Sequence, residues 1–342
     1  DGHGTFVAGV IAAGQDNDTG IVGLNATARI MVLKALDAFG HGHASHVAEA
    51  IAYAADNGAR VINLSLGGRG LTKVEQLAVE HANAKGAILV AASGNAGKDV
   101  NQFSPAGLTG VVTVSATDRR DKRAGFSNWG TAVDIAAPGV DILSLRARRT
   151  DLLSFITGVK YEKGEGIVGD DRAYYRASGT SFSSPIISGT LSLLLSRNPD
   201  LSAQQAVRML LQSARDIETP GVDNYSGYGL VDAEAALKAD PEFFVESRIT
   251  GVQVVGSSKP AVRIIGTVAA NEFAEATIMI GKGNQPKKWL RVNKTITRQI
   301  DNAAIMDLPA RFFAGAKAWT IRLITTHKNG SKREARFSLK LG

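Results

Sequence analysis

Short apolar runs alternate with alanine-rich helical segments through the first 115 residues, and this alternation restricts the possible fold more than any other feature. The predicted strands, at residues 28–35, 61–66, 87–92 and 111–115, are of the kind buried on both faces of a parallel sheet. Helices are predicted at residues 45–57 and 74–85, and parallel strands need such crossovers. We therefore expect an α/β fold with a mainly parallel sheet and helices on both faces.

The pattern changes after Asp240-Pro241, where short alternating strands replace the helices. Strands predicted at residues 252–255, 261–268, 276–280, 319–325 and 335–341 are typical of a small all-β sandwich. We therefore predict one domain over residues 1–240 and an accessory β-sandwich over residues 241–342. Residues 144–177 are charged and weakly periodic, and we interpret them as a surface insertion.

Composition excludes several classes of protein. Cysteine is absent from the 342 residues, which rules out disulfide bonds and thiol catalysis. The longest apolar run, residues 186–195, is interrupted by Ser and Gly, so we expect no membrane span. The net charge of +7 is concentrated toward the C-terminus, and a basic face can bind anionic polymers. Because these charges alternate with apolar residues, we interpret them as solvated surface and expect no nucleic-acid partner.

Three polar residues stand among small residues and could carry chemistry. Ser181 follows a Gly-Thr turn and precedes a long apolar segment, which would place its hydroxyl at a helix N-terminus. His3 is a candidate general base, and Asn95 follows Ser93-Gly94 at a strand end, where its amide could donate to an oxyanion. Each also has a purely structural interpretation: a helix cap for Ser181, a packed residue for His3 and a left-handed turn for Asn95.

Taken together and in this order, the three segments resemble the subtilisin-like serine proteases. The motifs are His-Gly-Thr-Phe-Val-Ala-Gly from His3, Ala-Ala-Ser-Gly-Asn up to Asn95 and Ser-Gly-Thr-Ser-Phe-Ser-Ser-Pro around Ser181. The segments at residues 61–68 and 136–139 fit the same pattern, so that the resemblance covers about residues 1–239. It implies a serine endopeptidase with Ser181 as nucleophile, His3 as general base and Asn95 as oxyanion donor.

The resemblance also implies how a protein or peptide substrate would be held. Ser65, Leu66 and Gly67 would pair with the extended substrate as an added strand, and Ala92, Ser93 and Gly94 would form one wall of the pocket before the cleaved bond. The chain departs from the family pattern at Phe6, where a second histidine is usual, at Phe182-Ser183, where Met-Ala is usual, and at Ile186, also usually histidine. None of these is a triad position, so we expect altered packing and retained chemistry.

The aspartate of the family's triad is missing, since it lies upstream of the histidine and this sequence begins two residues before His3. Asp18-Thr19-Gly20 imitates its motif but follows the histidine, and Asp1 is too near His3 to orient it. We expect an upstream segment to supply the acid. The hypothesis is that the chain is a fragment, either shortened or the larger piece of a nicked protease that binds its own N-terminal fragment or propeptide.

The remaining expectations concern ligands, location and an alternative role. Asp16 and Asp18 could bind a structural calcium ion or belong to a solvated turn, and catalysis itself would require no cofactor. The resemblance implies a secreted, periplasmic or cell-surface protein. The alternative function is a catalytically silent relative that binds peptides or a partner, against which the presence of His3, Asn95 and Ser181 argues. The β-module could instead deliver the protease to a surface or polymer through Trp289, Trp319 and its basic residues.

Overall fold

A computed structural model describes residues 2–147, 166–169 and 172–340. The helices are α1 (His3–Ala12), α2 (Ala44–Asp56), α3 (Lys73–Ala84), α4 (Thr180–Arg197), α5 (Ala203–Gln212) and α6 (Ala233–Lys238). The strands of the first part are β1 (Val61–Leu64), β2 (Gly68–Arg69), β3 (Ile88–Ala92), β4 (Phe103–Ser104), β5 (Val111–Thr117), β6 (Ile135–Pro138), β7 (Ile142–Leu145), β8 (Ile167–Val168) and β9 (Tyr174–Ala177). Those of the second part are β10 (Val245–Val255), β11 (Ala261–Ala270), β12 (Phe273–Lys282), β13 (Leu290–Arg291), β14 (Ile300–Pro309), β15 (Ala318–His327) and β16 (Lys332–Lys340).

A parallel sheet in the order β1-β3-β5-β6 forms the centre of the first part. Every residue of β3 and β5 is buried, which explains why β3 is entirely apolar and why the polar residues of β5 are only the small hydroxyl residues Thr and Ser. Leu89 and Ala91 face α2 and α3, and Ile88 and Val90 share the opposite core with α4. The predicted α/β fold with helices on both faces is confirmed.

The predicted strand at residues 28–35 is wrong, because these residues form no strand in the structure. Their apolar side chains are on the surface: Ile30 is 43%, Met31 42% and Val32 81% exposed. A strand forms only where a neighbour completes its backbone hydrogen bonds. Among the described residues, β1 pairs with β3, its other edge carries no strand, and residues 28–35 therefore lack the neighbour that would complete their hydrogen bonds.

A small antiparallel sheet in the order β7-β9-β8 packs beside α1. Tyr175 and Ala177 of β9 share a core with Phe6 and Val10 of α1, and the Ser144 hydroxyl donates to the Phe6 carbonyl oxygen at 2.7 Å. These strands come from both ends of the segment interpreted as an insertion, and its residues 148–165 and 170–171 lie outside the described part of the chain.

Two antiparallel sheets make up the C-terminal part, β10-β11-β14 and β13-β12-β15-β16. Their inner side chains, among them Ile264, Ile278 and Leu323, are completely buried in one core. The additional all-β module that the alternating pattern predicted is therefore present.

The β-module is docked on the first part through backbone and charged contacts. Val222 donates its N–H to the Glu334 carbonyl oxygen at 2.7 Å and accepts from the Arg336 N–H at 3.0 Å, which adds a strand-like segment to the edge of β16. Arg248 of β10 reaches Asp134 at 2.6 Å, with 19% and 14% of the two side chains exposed. The module is thus joined to the residues that lead into β6.

Candidate active site

Ser181 lies in the first turn of α4, where backbone N–H groups have no partner within the helix. Its hydroxyl oxygen is 3.3 Å from the Ser65 carbonyl oxygen, and the Ser65 hydroxyl donates to the Ser181 carbonyl oxygen at 2.7 Å. These reciprocal bonds hold the segment after β1 against the start of α4. The predicted nucleophile and the first residue of the predicted substrate strand are therefore neighbours.

Asn63 fixes this junction, and sequence reasoning missed its role. Its side-chain oxygen accepts hydrogen bonds from the Ser184 and Ser188 hydroxyls, each at 2.9 Å, and its amide nitrogen donates to the Ser65 hydroxyl at 2.9 Å. The available signal was an amide within an apolar strand, because a buried polar group requires partners.

Asn95 is oriented by Thr180, the residue before Ser181. The Asn95 Oδ1 accepts from the Thr180 N–H and the Thr180 hydroxyl, both at 2.9 Å, while the hydroxyl itself accepts from the Gly94 N–H at 3.0 Å. Since Oδ1 receives a backbone N–H, the amide orientation is unambiguous and Nδ2 points the other way. That nitrogen lies 3.3 Å from the place a Cβ on Gly179 would occupy, so it faces the turn that carries Ser181.

His3 is the first residue of α1 and is brought to the start of α4 by ring contacts. Its ring centroid is 5.7 Å from that of Phe182, the residue after Ser181. Burial lowers the pKa of His3 from 6.5 to about 4. The imidazole is therefore neutral at neutral pH and has a lone pair with which to accept a proton.

Phe6 and Phe182, two positions at which the chain departs from the family pattern, contact each other next to His3. Phe6 and Phe182 are both completely buried, and their ring centroids are 4.3 Å apart. Ile186, the third departure, packs on the same cluster. The aromatic pair thus joins the helix that begins at His3 to the helix that begins beside Ser181.

The two predicted substrate segments border this site. Gly67 runs beside β4, where an added Cβ would come within 2.8 Å of the Ser104 carbonyl oxygen. Ala92 and Ser93 are buried at the end of β3, and Gly94 has a φ of 100° that favours glycine. The structure brings both segments next to Thr180-Ser181 through the bonds from Ser65 and Gly94.

Asn128 supports the loop after Asn95 and was also missed. Its Nδ2 donates to the Ser93 carbonyl oxygen at 2.8 Å, and its Oδ1 accepts from the Ala96 and Lys98 N–H groups at 3.0 and 2.9 Å. Asn128 lies in a polar loop 33 positions beyond Asn95, and nothing in the local sequence marks the contact.

Asp16 and Asp18, the candidate calcium ligands, are exposed and have φ values of 54° and 53°. Among the described residues, no group of three or more His, Asp or Glu side chains is arranged to hold a metal ion. Backbone carbonyl oxygens are also calcium ligands, so the expectation stays a prediction.

Comparison with known proteins identifies the class. The model of the subtilase family matches residues 1–229. Subtilisin DY of Bacillus licheniformis is 36% identical over 242 residues, which cover 70% of this chain and 78% of that protein. The chain belongs to the subtilase family.

Other relatives are longer, and solved structures share the fold. A thermophilic serine proteinase of Bacillus sp. (strain AK1) is 42% identical over 236 residues, or 69% of this chain and 52% of the relative. The cell wall-associated protease of Bacillus subtilis (strain 168) is 37% identical over 70% of this chain, which spans only 26% of that protein.

A protease structure from Pseudoalteromonas arctica, 29% identical, superposes with a TM-score of 0.59 over 69% of this chain and 70% of that one. The structure of a cold-adapted subtilisin-like serine proteinase, 30% identical, superposes with a TM-score of 0.54 over 68% of this chain and 73% of that one.

None of the helices in the described ranges has the length and apolar character needed to cross a bilayer.

Proposed function

We propose that this chain is the larger part of a serine endopeptidase in which Ser181 is the nucleophile, His3 the general base and Asn95 an oxyanion donor. The observation that carries the proposal is the Thr180 bridge, because it fixes the Asn95 amide with its N–H group toward the Ser181 turn. A helix cap alone would need no such arrangement. Pre-oriented donors in a largely buried site are the main source of catalysis in acyl transfer.

The chemistry proceeds through an acyl-enzyme. Neutral His3 takes the proton of the Ser181 hydroxyl as its oxygen attacks the carbonyl carbon of an extended peptide. The oxyanion accepts from Asn95 Nδ2 and the Ser181 N–H. His3 then gives the proton to the leaving amine as the peptide bond breaks. His3 then takes a proton from water as the water oxygen attacks the acyl carbon, and it returns that proton to Ser181 Oγ as the Oγ–acyl bond breaks and the acid product leaves.

The acid that orients His3 is supplied by a segment upstream of this chain, which adds as a strand beside β1. Within the described ranges one edge of β1 has no partner strand, and Ile30, Met31 and Val32 are exposed. Both observations support this, since apolar side chains of this kind are expected beneath a neighbouring strand. Leu33 and Tyr53 line a concave surface next to them. A bound N-terminal fragment or propeptide is the partner that fits this gap.

A fluorophosphonate serine probe tests the proposed function. We expect one adduct on Ser181 in the intact-mass spectrum and none in Ser181→Ala, because only an activated hydroxyl attacks phosphorus readily. The preparation is measured with and without the upstream segment. Failure to label in both conditions, in protein that melts cooperatively, would support the silent peptide-binding alternative.

Thr180 provides a test of the oxyanion donor. Thr180→Val removes the hydroxyl that bridges Gly94 and Asn95 but keeps the backbone N–H that donates to Asn95 Oδ1, so we expect kcat to fall by less than the about 10²-fold loss that follows removal of an oxyanion donor. Thr180→Ser keeps the hydroxyl and is the matched control. Equal activity of the two variants would show that the Thr180 hydroxyl does not help to orient Asn95.

We further propose a calcium ion at the Asp16–Asp18 loop and an extracellular location, the latter supported by the cell wall-associated relative. Because both aspartates have positive φ, a cation that neutralises them would stabilise the loop. A chelator is therefore expected to lower the melting temperature, and Asp16→Asn/Asp18→Asn should abolish that response. A melting temperature insensitive to chelator would refute the site.

A further inference from the structure

The net positive charge of the chain comes entirely from its C-terminal part. Residues 243–342 contain 17 Lys and Arg but six Asp and Glu, whereas the first 242 residues contain 22 basic and 26 acidic side chains. Within the C-terminal part, residues 276–300 include no acidic residue. We define residues 282–298 as the basic segment, whose cations are Lys282, Lys287, Lys288, Arg291, Lys294 and Arg298. Solubility alone is served by mixed charges and does not require this separation.

The basic segment lies along the edge of the four-stranded sheet. Leu290 and Arg291 form β13 beside β12, and Ile296 exchanges two backbone hydrogen bonds of 2.9 Å with Ala276. Val292 and Ile296 are 9% and 7% exposed, while all six cations are exposed. The apolar residues anchor the segment and its charges face solvent.

Two arginines extend this charge across the outer face of the sheet. The strand register places Arg291, Met279, Arg322 and Arg336 in one row, and residues directly opposite one another share a face. Both Arg322 and Arg336 pair with Glu334, so two guanidinium groups share one carboxylate.

Trp289 connects the row to the basic segment. Its ring centroid lies 5.5 Å from the Arg322 guanidinium carbon and 5.3 Å from that of Arg336. The indole holds both arginines against the sheet, as cation–π contacts do. Asp307 is close enough for the charge of Lys294 to lower its pKa, but its carboxylate already forms a bidentate pair with Arg263. The positive charge of the face is therefore largely uncompensated.

We propose that this face binds a linear anionic glycan, a polysaccharide whose repeating units carry sulfate, phosphate or carboxylate groups. Arg291, Lys294 and Arg298 recur every three or four residues along the exposed edge of the sheet and present repeated charges to a polymer. Single-stranded nucleic acids are instead held by bases stacked on exposed aromatic rings. Trp289 is half-buried and its ring is in contact with two guanidinium groups, and Trp319 is buried in the core.

The location leaves a bound polymer clear of the docked domain. That domain contacts the β16 edge through Val222, and the basic segment lies at the opposite edge, three strands away. Binding at the basic segment would hold the protein at a polyanionic surface while β16, the strand that contacts the first domain, lies at the other edge of the sheet. This inference concerns a separate surface and does not depend on catalysis.

The test is binding of the full chain to fluorescent dextran sulfate over a sodium chloride series, with uncharged dextran as the control polymer. We expect dextran sulfate alone to bind, with log K falling linearly against log salt. We expect the triple variant Lys287→Gln/Lys288→Gln/Arg291→Gln to bind at least about 10-fold more weakly. The slope of log K against log salt concentration should become about 2 to 3 less steep. Lys259→Gln/Lys328→Gln/Lys332→Gln removes the same charge from exposed positions outside the segment and should change affinity less than about 3-fold.

Equal losses in the two triple variants would overturn the site, because net charge alone would then explain binding. Tighter binding of duplex DNA than of dextran sulfate at matched salt would overturn the assignment to glycans, as would equal binding of both dextrans. Melting temperatures verify that the variants fold. The single variant Arg291→Gln, expected to weaken binding about 2-fold to 4-fold, keeps the test decisive if the triple variant is unstable.

Discussion

Adding a peptide that carries the upstream strand and its aspartate should raise the turnover of this chain by about four orders of magnitude. That is the typical loss when the triad acid is removed and the nucleophile and base are retained. In the structure, burial lowers the pKa of His3 to about 4, which disfavours the imidazolium that must form during attack. A carboxylate beside the ring would stabilise that cation and raise the pKa toward neutrality.

The measurement combines peptide hydrolysis with an NMR titration of His3. Without the upstream strand, the His3 ring signals should titrate near pH 4; with it, the midpoint should move upward together with the rate. The matched control is the same peptide with asparagine in place of aspartate, which restores the strand without its charge. Equal activation by both peptides would show that sheet completion matters and the carboxylate does not.

Arg248→Ala should destabilise the folded protein by about 3 kcal/mol. Arg248 pairs with Asp134 and donates to the carbonyl oxygens of Thr131 and Val133, and the ion pair is mostly buried between the two parts of the chain. The substitution leaves the Asp134 carboxylate without its cation in a site that water barely reaches, a change of the kind that costs about 3–5 kcal/mol. The measurement is urea unfolding monitored by circular dichroism.

Arg263→Ala is the matched control for Arg248, since it removes an arginine from a bidentate pair that is about half exposed. An exposed pair is screened by water and contributes little to stability, so this variant should unfold close to the parent. Replacing both partners, as Arg248→Met/Asp134→Leu, should recover part of the loss because no unpaired charge remains. Equal destabilisation by the two arginine variants would show that the interface pair has no special role.

Predictions from the sequence succeeded where local residue pattern decides structure. Predominantly apolar runs located β1, β3 and β5, and alanine-rich helical segments located α2 and α3, because buried strands and amphipathic helices leave clear signals in the local sequence. The same signal failed at residues 28–35, which have a strand-like composition but no neighbouring strand in the described chain. Pairing is a property of two segments, and one segment cannot specify it alone.

Motifs and the period of the apolar pattern were enough to predict the family, the α/β sheet and the all-β part that follows it, and they supplied the candidate site residues, because all of these are read from the local sequence. What the side chains contact was set only when the chain folded. The tertiary structure set the direction of the Asn95 amide through Thr180, joined Phe6 to Phe182, and separated Trp319 in the core from Trp289 on the basic face. Each of these contacts joins elements distant along the chain, and hydrogen-bond geometry and burial are fixed only when those elements pack together.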